Sequence, residues 1–266
     1  MTIRTRPWPE GVPCWVDLVT TDLAAAQRFY ADVLGWSFAP PDHDYGDYVI
    51  ADVRGHATAG VGPMPAGQQT PAWTLYLSSD DADRTASAVT DRGGTVLLPP
   101  GDVGPLGRMV IAADPAGGVF GVWQAGSHLG SALVNEPGGL IWEDLRSTEP
   151  DAALPFYQQV FGYELRELAD AGPDYRTFHP VGDDAPLGGM GGMFGAPDGT
   201  PSHWLVYFCV ADVDAAVEAA GRNGGHVLAP AFDTEFGRMA GLVDPSGAAF
   251  WIMQDIPGQP GPDRQD

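Results

Sequence analysis

Two aspartates lie inside apolar segments, where a carboxylate needs an explanation. Asp17 follows Cys-Trp-Val and Asp144 follows Ile-Trp-Glu, and both segments are typical of strands. Burying an unpaired carboxylate costs several kcal/mol, so each must be paired or hydrated. Arg108 and Arg238, from two Gly-Arg-Met sequences, are the expected partners. A structural ion pair and a carboxylate that orients a ligand or takes a proton both remain open, and Asp17 and Asp144 are the candidate catalytic residues.

Tryptophans accompany these carboxylates. Side chains alternate between the two faces of a strand, so Trp15 shares a face with Asp17, and Trp142 with Asp144. Indole rings stack on flat aromatic molecules and attract cations, although they could equally fill the interior of a barrel. The residues predicted to bind a ligand are Trp15, Trp73, Trp123, Trp142, Trp204, Trp251, Arg108 and Arg238. Tyr76 and Tyr207 have the opposite parity to Trp73 and Trp204, and we expect them to face the helices.

The chain contains an internal repeat. Phe29-Tyr30 recurs as Phe156-Tyr157, an offset of 156 − 29 = 127 residues, and Trp15 and Asp17 recur as Trp142 and Asp144 at the same offset. Two further blocks repeat in the same order: a Trp-x-x-Tyr segment followed by a Gly-Gly pair, and a Gly-Arg-Met segment followed by Asp-Pro-x-Gly. Three matched blocks indicate two copies of one module.

The same order of elements is predicted in each copy. In the first, a strand at 14–20 leads to a helix with Asp22 as its N-cap and Gly35 as its left-handed C-cap. Pro150 and Pro155 crowd the corresponding helix of the second copy, which must begin late or bend. Further strands of the first copy are predicted at 47–52, 59–64, 72–78, 95–98, 108–112 and 119–124, with a second helix at 82–92.

These motifs resemble the vicinal oxygen chelate superfamily, which contains glyoxalase I, bleomycin-resistance proteins, fosfomycin-resistance enzymes and extradiol dioxygenases. The resemblance rests on the strand that leads through Asp into a helix, the Phe-Tyr of that helix, and the Asp-Pro-x-Gly hairpin before the last strand. More specifically, the chain resembles the tandem glyoxalase-like proteins of actinobacteria, some of which are called antigens and others hydroxylases of antibiotic clusters. The resemblance implies an α+β fold of two tandem modules, each of paired βαβββ units whose open, curled sheets surround cavities. We expect modules at 1–130 and 137–258 and a disordered tail at 259–266.

The resemblance also shows where metal-binding relatives carry their ligands, and none of those positions offers one here. Trp15 and Trp142 stand at the first position and Trp73 and Trp204 at the second. Gly121 and Trp251 stand at the third, where a carboxylate is usual. A divalent metal needs imidazole, thiolate or carboxylate ligands. We therefore predict no metal and no cofactor. His203, next to Trp204, is expected to point to the opposite face of its strand. Only if the alignment with the family is wrong by one residue would His203 face inward and be able to bind a metal.

Composition narrows the function classes. The net charge of −22 opposes nucleic-acid binding and favours neutral or cationic ligands. All 13 basic residues are Arg, so no lysine can form a Schiff base. No signal peptide or membrane span is evident, and a cytoplasmic monomer or homodimer with reduced cysteines is expected.

The leading hypothesis is a metal-independent protein that binds a small aromatic or polycyclic molecule, for drug sequestration or resistance. A metal-free isomerase, cyclase or hydroxylase partner of secondary metabolism is the first alternative. A metal-dependent glyoxalase or dioxygenase is the second.

Overall fold

A computed structural model describes residues 4–68, 70–168 and 174–254. The first half of the chain forms one set of elements and the second half repeats it. The first set consists of β1 (Pro13–Thr20), α1 (Leu23–Leu34), β2 (Ser37–Phe38), β3 (Val49–Val53), β4 (His56–Pro63), β5 (Ala72–Ser78), α2 (Ala82–Asp91), β6 (Thr95–Val103), β7 (Gly107–Ala113) and β8 (Val119–Ala125). The second set consists of β9 (Leu140–Arg146), α3 (Pro150–Phe161), β10 (Glu164–Glu167), β11 (Arg176–His179), β12 (Gly188–Gly191), β13 (His203–Cys209), α4 (Val213–Arg222), β14 (His226–Thr234), β15 (Gly237–Val243) and β16 (Ala249–Gln254).

Each set of strands forms its own eight-stranded mixed sheet. The order is β2-β3-β4-β1-β5-β8-β7-β6 in the first module and β10-β11-β12-β9-β13-β16-β15-β14 in the second. Within a sheet, two βαβββ units join where their first strands pair, β1 with β5 and β9 with β13. The predicted fold class, an α+β fold of tandem modules with paired βαβββ units and unclosed sheets, is confirmed.

The helix that follows the first strand is positioned by its caps. The Asp22 side chain accepts a hydrogen bond from the Ala25 amide at 2.9 Å, and Gly35 ends α1 with a left-handed φ of 72°. Pro150 and Pro155 were expected to make this helix of the second module begin late or bend, and a late start was wrong. Pro150 is the first residue of α3, where its missing amide is not needed, and the helix continues through Pro155.

The repeated Phe-Tyr motif joins the two modules. The Tyr30 hydroxyl donates to Asp244 in the hairpin of the other module at 3.2 Å. The Phe29 ring lies so close to Gly225 that a Cβ there would come within 2.6 Å of it. The reciprocal contacts are made by Tyr157 with Asp114 and by Phe156 with Gly94. Both the Phe-Tyr pair and the second glycine of each Gly-Gly pair therefore serve the interface between modules.

Three other expectations concern the cysteines, the C-terminal tail and membrane-spanning helices. Cys14 and Cys209 are buried thiols, not a disulfide. The predicted tail at 259–266 lies outside the described residues. Across the parts of the chain that the structure describes, no helix is both long enough and apolar enough to cross a bilayer.

Candidate functional site

A cavity of about 990 Å³ lies on the face of the first sheet that carries Trp15 and Asp17. Strand pairing places Trp15 opposite Tyr76, and Asp17 opposite Thr74. Trp123 and other apolar side chains of β7 and β8 continue the wall. The second module adds His203 and Trp204 from the start of β13, and Ser202 directly before it, to the lining. Both modules therefore contribute to this cavity, and most of its wall belongs to the first.

Asp17 is held by phenols. The Tyr76 hydroxyl donates to Oδ2 of Asp17 at 3.0 Å, and Tyr48 forms a second hydrogen bond to the same carboxylate. The Trp15 indole N–H in turn donates to the Tyr48 hydroxyl at 3.0 Å. Gly60 pairs with Asp17 on the adjacent strand, and a Cβ at Gly60 would collide with the Tyr48 hydroxyl. The glycine therefore makes room for Tyr48 to reach the carboxylate.

The electrostatics of Asp17 follow from these neighbours. Burial raises the pKa of Asp17 to about 7, although the hydrogen bonds from Tyr76 and Tyr48 oppose the shift. Burial and the adjacent carboxylate also raise the pKa of both tyrosines, so the phenols stay protonated and act as donors. Asp17 is thus a carboxyl group that can gain or lose a proton near neutral pH beside a large apolar cavity.

The second module contains the same cluster with one addition. The Tyr207 and Tyr175 hydroxyls donate to Asp144 at 2.8 Å and 2.7 Å, and the Trp142 indole N–H donates to it at 2.9 Å. Arg146 then forms an ion pair with Asp144 at 2.7 Å, and the aspartate is buried. Asp144 is therefore a buried carboxylate paired with a guanidinium.

Two positions distinguish the modules. Arg146 corresponds to Val19, since 19 + 127 = 146, and Val19 lines the cavity. Trp251 pairs with Tyr207 as Gly121 pairs with Tyr76. The Trp251 ring stacks on Tyr207 with centroids 5.6 Å apart, whereas Gly121 carries no side chain. The second module thus has a guanidinium and an indole at the positions where the first module has the small residues Val19 and Gly121.

A phenylalanine covers the charged pair in the second module. The Phe194 ring lies 4.7 Å from the Arg146 guanidinium carbon and 5.7 Å from the Tyr175 ring. The predicted ligand-binding residues Trp142 and Trp251 belong to this half-buried cluster of the second module, and neither lines the 990 Å³ cavity.

The predicted pairing of the aspartates with the Gly-Arg-Met arginines was wrong. Arg108 forms its hydrogen bonds with Asp83 and Asp102 at 2.7–3.0 Å, and Arg238 forms the equivalent ones with Asp214 and Asp233. Each arginine bridges a helix to a β-hairpin on the surface. Neither reaches an aspartate of the first strand or lines the cavity.

The predicted orientation of the β5 and β13 aromatics was also wrong. Tyr76 and Tyr207, expected to face the helices, instead donate to Asp17 and Asp144. Trp73 pairs with Leu18 and so projects from the opposite face, where its ring meets Tyr30 edge-on with centroids 5.5 Å apart. The Trp204 indole N–H likewise donates to Tyr157 at 2.9 Å. Trp73 and Trp204 border the cavity while packing at the junction between modules.

Two histidines adjoin the cavity. The His128 ring packs edge-on against Trp15 with centroids 4.4 Å apart, and its Nε2 atom is buried without a partner among the described residues. His203 is opposite Arg146 in the sheet and therefore faces inward, unlike its predicted orientation. Burial lowers the pKa of both imidazoles, which favours their neutral forms.

Sequence reasoning missed Tyr48 and Tyr175. Both correspond to each other at the repeat offset, since 48 + 127 = 175. A repeated tyrosine was the available signal, and Tyr48 even belongs to the strand predicted at 47–52. In the structure each tyrosine directly precedes a strand, β3 or β11. Comparison of Val19 with Arg146 at the same offset would also have exposed the difference in charge.

The family is clear from comparison with known proteins. Residues 133–252 match the model of the glyoxalase/bleomycin resistance protein/dioxygenase superfamily, and residues 14–123 match that of a glyoxalase-like domain. The chain belongs to this superfamily. "Putative glyoxylase CFP32" of Mycobacterium tuberculosis is 42% identical over 264 residues, which cover 96% of this chain and 99% of that protein. "Anthracycline biosynthesis protein DnrV" of Streptomyces peucetius is 35% identical over 265 residues, 94% of this chain and 95% of that protein.

Solved structures support the fold. A Mn(II)-bound glyoxalase from Novosphingobium aromaticivorans superposes with a TM-score of 0.66 at 16% identity, covering 92% of this chain and 82% of that one. The 2,3-dioxygenase LapB from Pseudomonas sp. KL28 gives a TM-score of 0.64 at 17% identity, covering 92% and 93%.

The residues at the site do not fit a metal such as that manganese. The row that faces the cavity across the paired strands consists of Trp15, Tyr76 and Gly121, and the equivalent row consists of Trp142, Tyr207 and Trp251. Neither row supplies imidazole, thiolate or carboxylate. No cluster of three or more His, Cys, Asp or Glu side chains suited to a metal occurs within residues 4–68, 70–168 and 174–254.

Proposed function

We propose that the cavity of the first module binds a small aromatic or polycyclic molecule without a metal ion. The main support for this proposal is the cavity, whose volume of about 990 Å³ is at the upper end of the range for small-molecule sites. Trp15 and Trp123 supply indole rings to its wall, and Asp17 with its tyrosines supplies a small polar group. An apolar cleft with few polar atoms is typical of a site for a largely apolar ligand.

The relatives support the ligand class. Two of them are named for anthracycline biosynthesis, at 35% and 33% identity, and anthracyclines are polycyclic aromatic compounds. A rigid, flat ring system would stack on the indoles, and each such aromatic pair contributes ~0.5–1.5 kcal/mol beyond the burial of its area. Sequestration or transport of such a compound needs no chemistry from the protein.

Tryptophan fluorescence tests the proposal. Hydroxymethylanthracene, a neutral tricyclic probe, is expected to quench the protein's emission with saturation. Trp15→Ala removes one of the indole rings from the cavity wall and is expected to weaken binding by ~1–3 kcal/mol. Trp142→Ala is the matched control, because its indole occupies the equivalent position in the second module and does not line this cavity. Absence of quenching, or equal weakening by the two variants, would refute a site in the first module.

A metal-free enzyme acting on the same ligand is the second candidate. It is favoured by the pKa of about 7 at Asp17, because a general base works best when its pKa lies near the operating pH. Under this hypothesis Asp17→Asn abolishes turnover of the ligand while leaving the affinity for neutral compounds intact. If no bound compound is converted by the wild-type protein, the binding function remains and the enzymatic one is excluded for those compounds.

A further inference from the structure

The first module lacks a cation that the second module has. Asp144 forms an ion pair with Arg146, whereas the hydrogen-bond partners found for Asp17 are the neutral hydroxyls of Tyr48 and Tyr76. The residue equivalent to Arg146 is Val19, whose side chain carries no charge and lines the cavity. The otherwise repeated cluster of one Trp, two Tyr and one Asp thus differs between the modules by one positive charge.

The rest of the cavity wall does not replace that charge. Within residues 4–68, 70–168 and 174–254, no arginine lines the cavity. The two histidines there, His128 and His203, have pKa values lowered by burial and are neutral near pH 7. Asp17 and Asp42 are the acidic residues of the lining. The lining residues that can be charged therefore carry negative charge once Asp17 is ionised, and negative charge repels anions and attracts cations.

We infer that Asp17 anchors a cationic nitrogen of the ligand, so that the natural ligand is an aromatic or polycyclic amine. Its ammonium group takes the place that the Arg146 guanidinium takes beside Asp144. A charge-assisted hydrogen bond inside a cavity of low polarity is stronger than a neutral one. The indole of Trp15, which is two residues from Asp17 on the same face, adds an aromatic surface that also attracts cations.

This inference rests on the proposed function, and a matched series of probes separates the two. Aminomethylanthracene, hydroxymethylanthracene and anthracene carboxylate share one ring system and differ in charge. Calorimetric titration of the wild-type protein at pH 8, where the Asp17 carboxylate is ionised, is expected to show the amine binding about tenfold to a hundredfold more tightly than the alcohol. The carboxylate is expected to bind more weakly than the alcohol.

Variants assign the preference to one side chain. Asp17→Asn preserves the shape of the site and should reduce the ratio of amine to alcohol affinity to about one. Val19→Arg copies the second module and should abolish amine binding. Asp198→Asn removes one exposed carboxylate from the chain and should leave the ratio unchanged, which controls for net charge.

The possible results of these titrations separate an error about the amine from an error about the aromatic site. If the wild-type protein binds amine and alcohol equally, or if the preference survives in Asp17→Asn, the inferred amine is wrong while the aromatic site stands. If none of the three probes binds, the aromatic site itself is wrong and the inference falls with it. The comparison in the wild-type protein needs no variant, so it stays decisive even when a substitution disturbs folding.

Discussion

Replacing Asp17 by asparagine should stabilise the protein at alkaline pH. The pKa of Asp17 is raised from 3.8 to about 7, because burial disfavours the charged form. A carboxyl group whose pKa is higher in the folded state contributes stability that is fully present below the unfolded pKa and is lost as the pH rises through the folded one. The wild-type protein therefore loses stability between about pH 4 and pH 7, and an uncharged amide at this position does not.

The magnitude follows from the shift. Each pKa unit corresponds to about 1.4 kcal/mol, so the full shift of about three units amounts to ~4 kcal/mol. Urea unfolding at about pH 5.5 and about pH 8.5 stays above the isoelectric point of about 4.2 and samples roughly half of this range. The free energy of unfolding of Asp17→Asn, relative to wild type, is expected to rise by ~2 kcal/mol between the two pH values.

The second module provides the control. Asp144→Asn leaves the Arg146 guanidinium without its carboxylate and is expected to destabilise the protein by ~3–5 kcal/mol at alkaline pH. The two equivalent substitutions should therefore have opposite signs. A relative stability of Asp17→Asn that does not change with pH would show that the Asp17 carboxylate is ionised and well solvated throughout, and it would refute the electrostatic reasoning.

Two further predictions concern the module interface and the surface. Gly225→Ala places a methyl group 2.6 Å from the Phe29 ring of the other module and should lower the free energy of unfolding by ~1–3 kcal/mol. Gly221→Ala, in open space on α4, should instead raise the free energy of unfolding by ~0.5–1 kcal/mol. Chemical denaturation measures both changes, and equal effects would show that the interface is not tight. Arg108→Gln should leave the affinity for aromatic probes unchanged in calorimetric titration, since Arg108 binds Asp83 and Asp102 outside the cavity, and a clear loss of affinity would return this arginine to the site.

The fold was predictable because the repeat supplied two independent copies of each signal. Asp22 and Gly35 delimit α1 as expected, since side-chain capping and a left-handed glycine are local effects. The start of α3 was not predicted, because Pro150 could be judged a helix breaker or a first helical residue. Pro150 is equivalent in the repeat to Leu23, the first residue of α1, and this equivalence favours a first helical residue.

The site was less predictable, for reasons of packing. Both faces of β5 are buried, one against the other module and one beneath the cavity, so its apolar residues show no alternation that separates Trp73 from Tyr76. The arginine partners depended on hairpin geometry that sequence spacing does not encode. Trp15 and Asp17 were placed on a common face correctly, because two-residue periodicity within one strand is a local property.

A single metal-free aromatic site in the first module can be tested by its stoichiometry. Calorimetric titration of protein treated with a chelator, using hydroxymethylanthracene as the ligand, measures its stoichiometry directly. We expect saturable binding of one molecule per chain, with elemental analysis showing less than a stoichiometric amount of Zn, Fe, Mn or Ni in the sample. Two equal sites per chain, or binding that appears only after a divalent metal is restored, would contradict it.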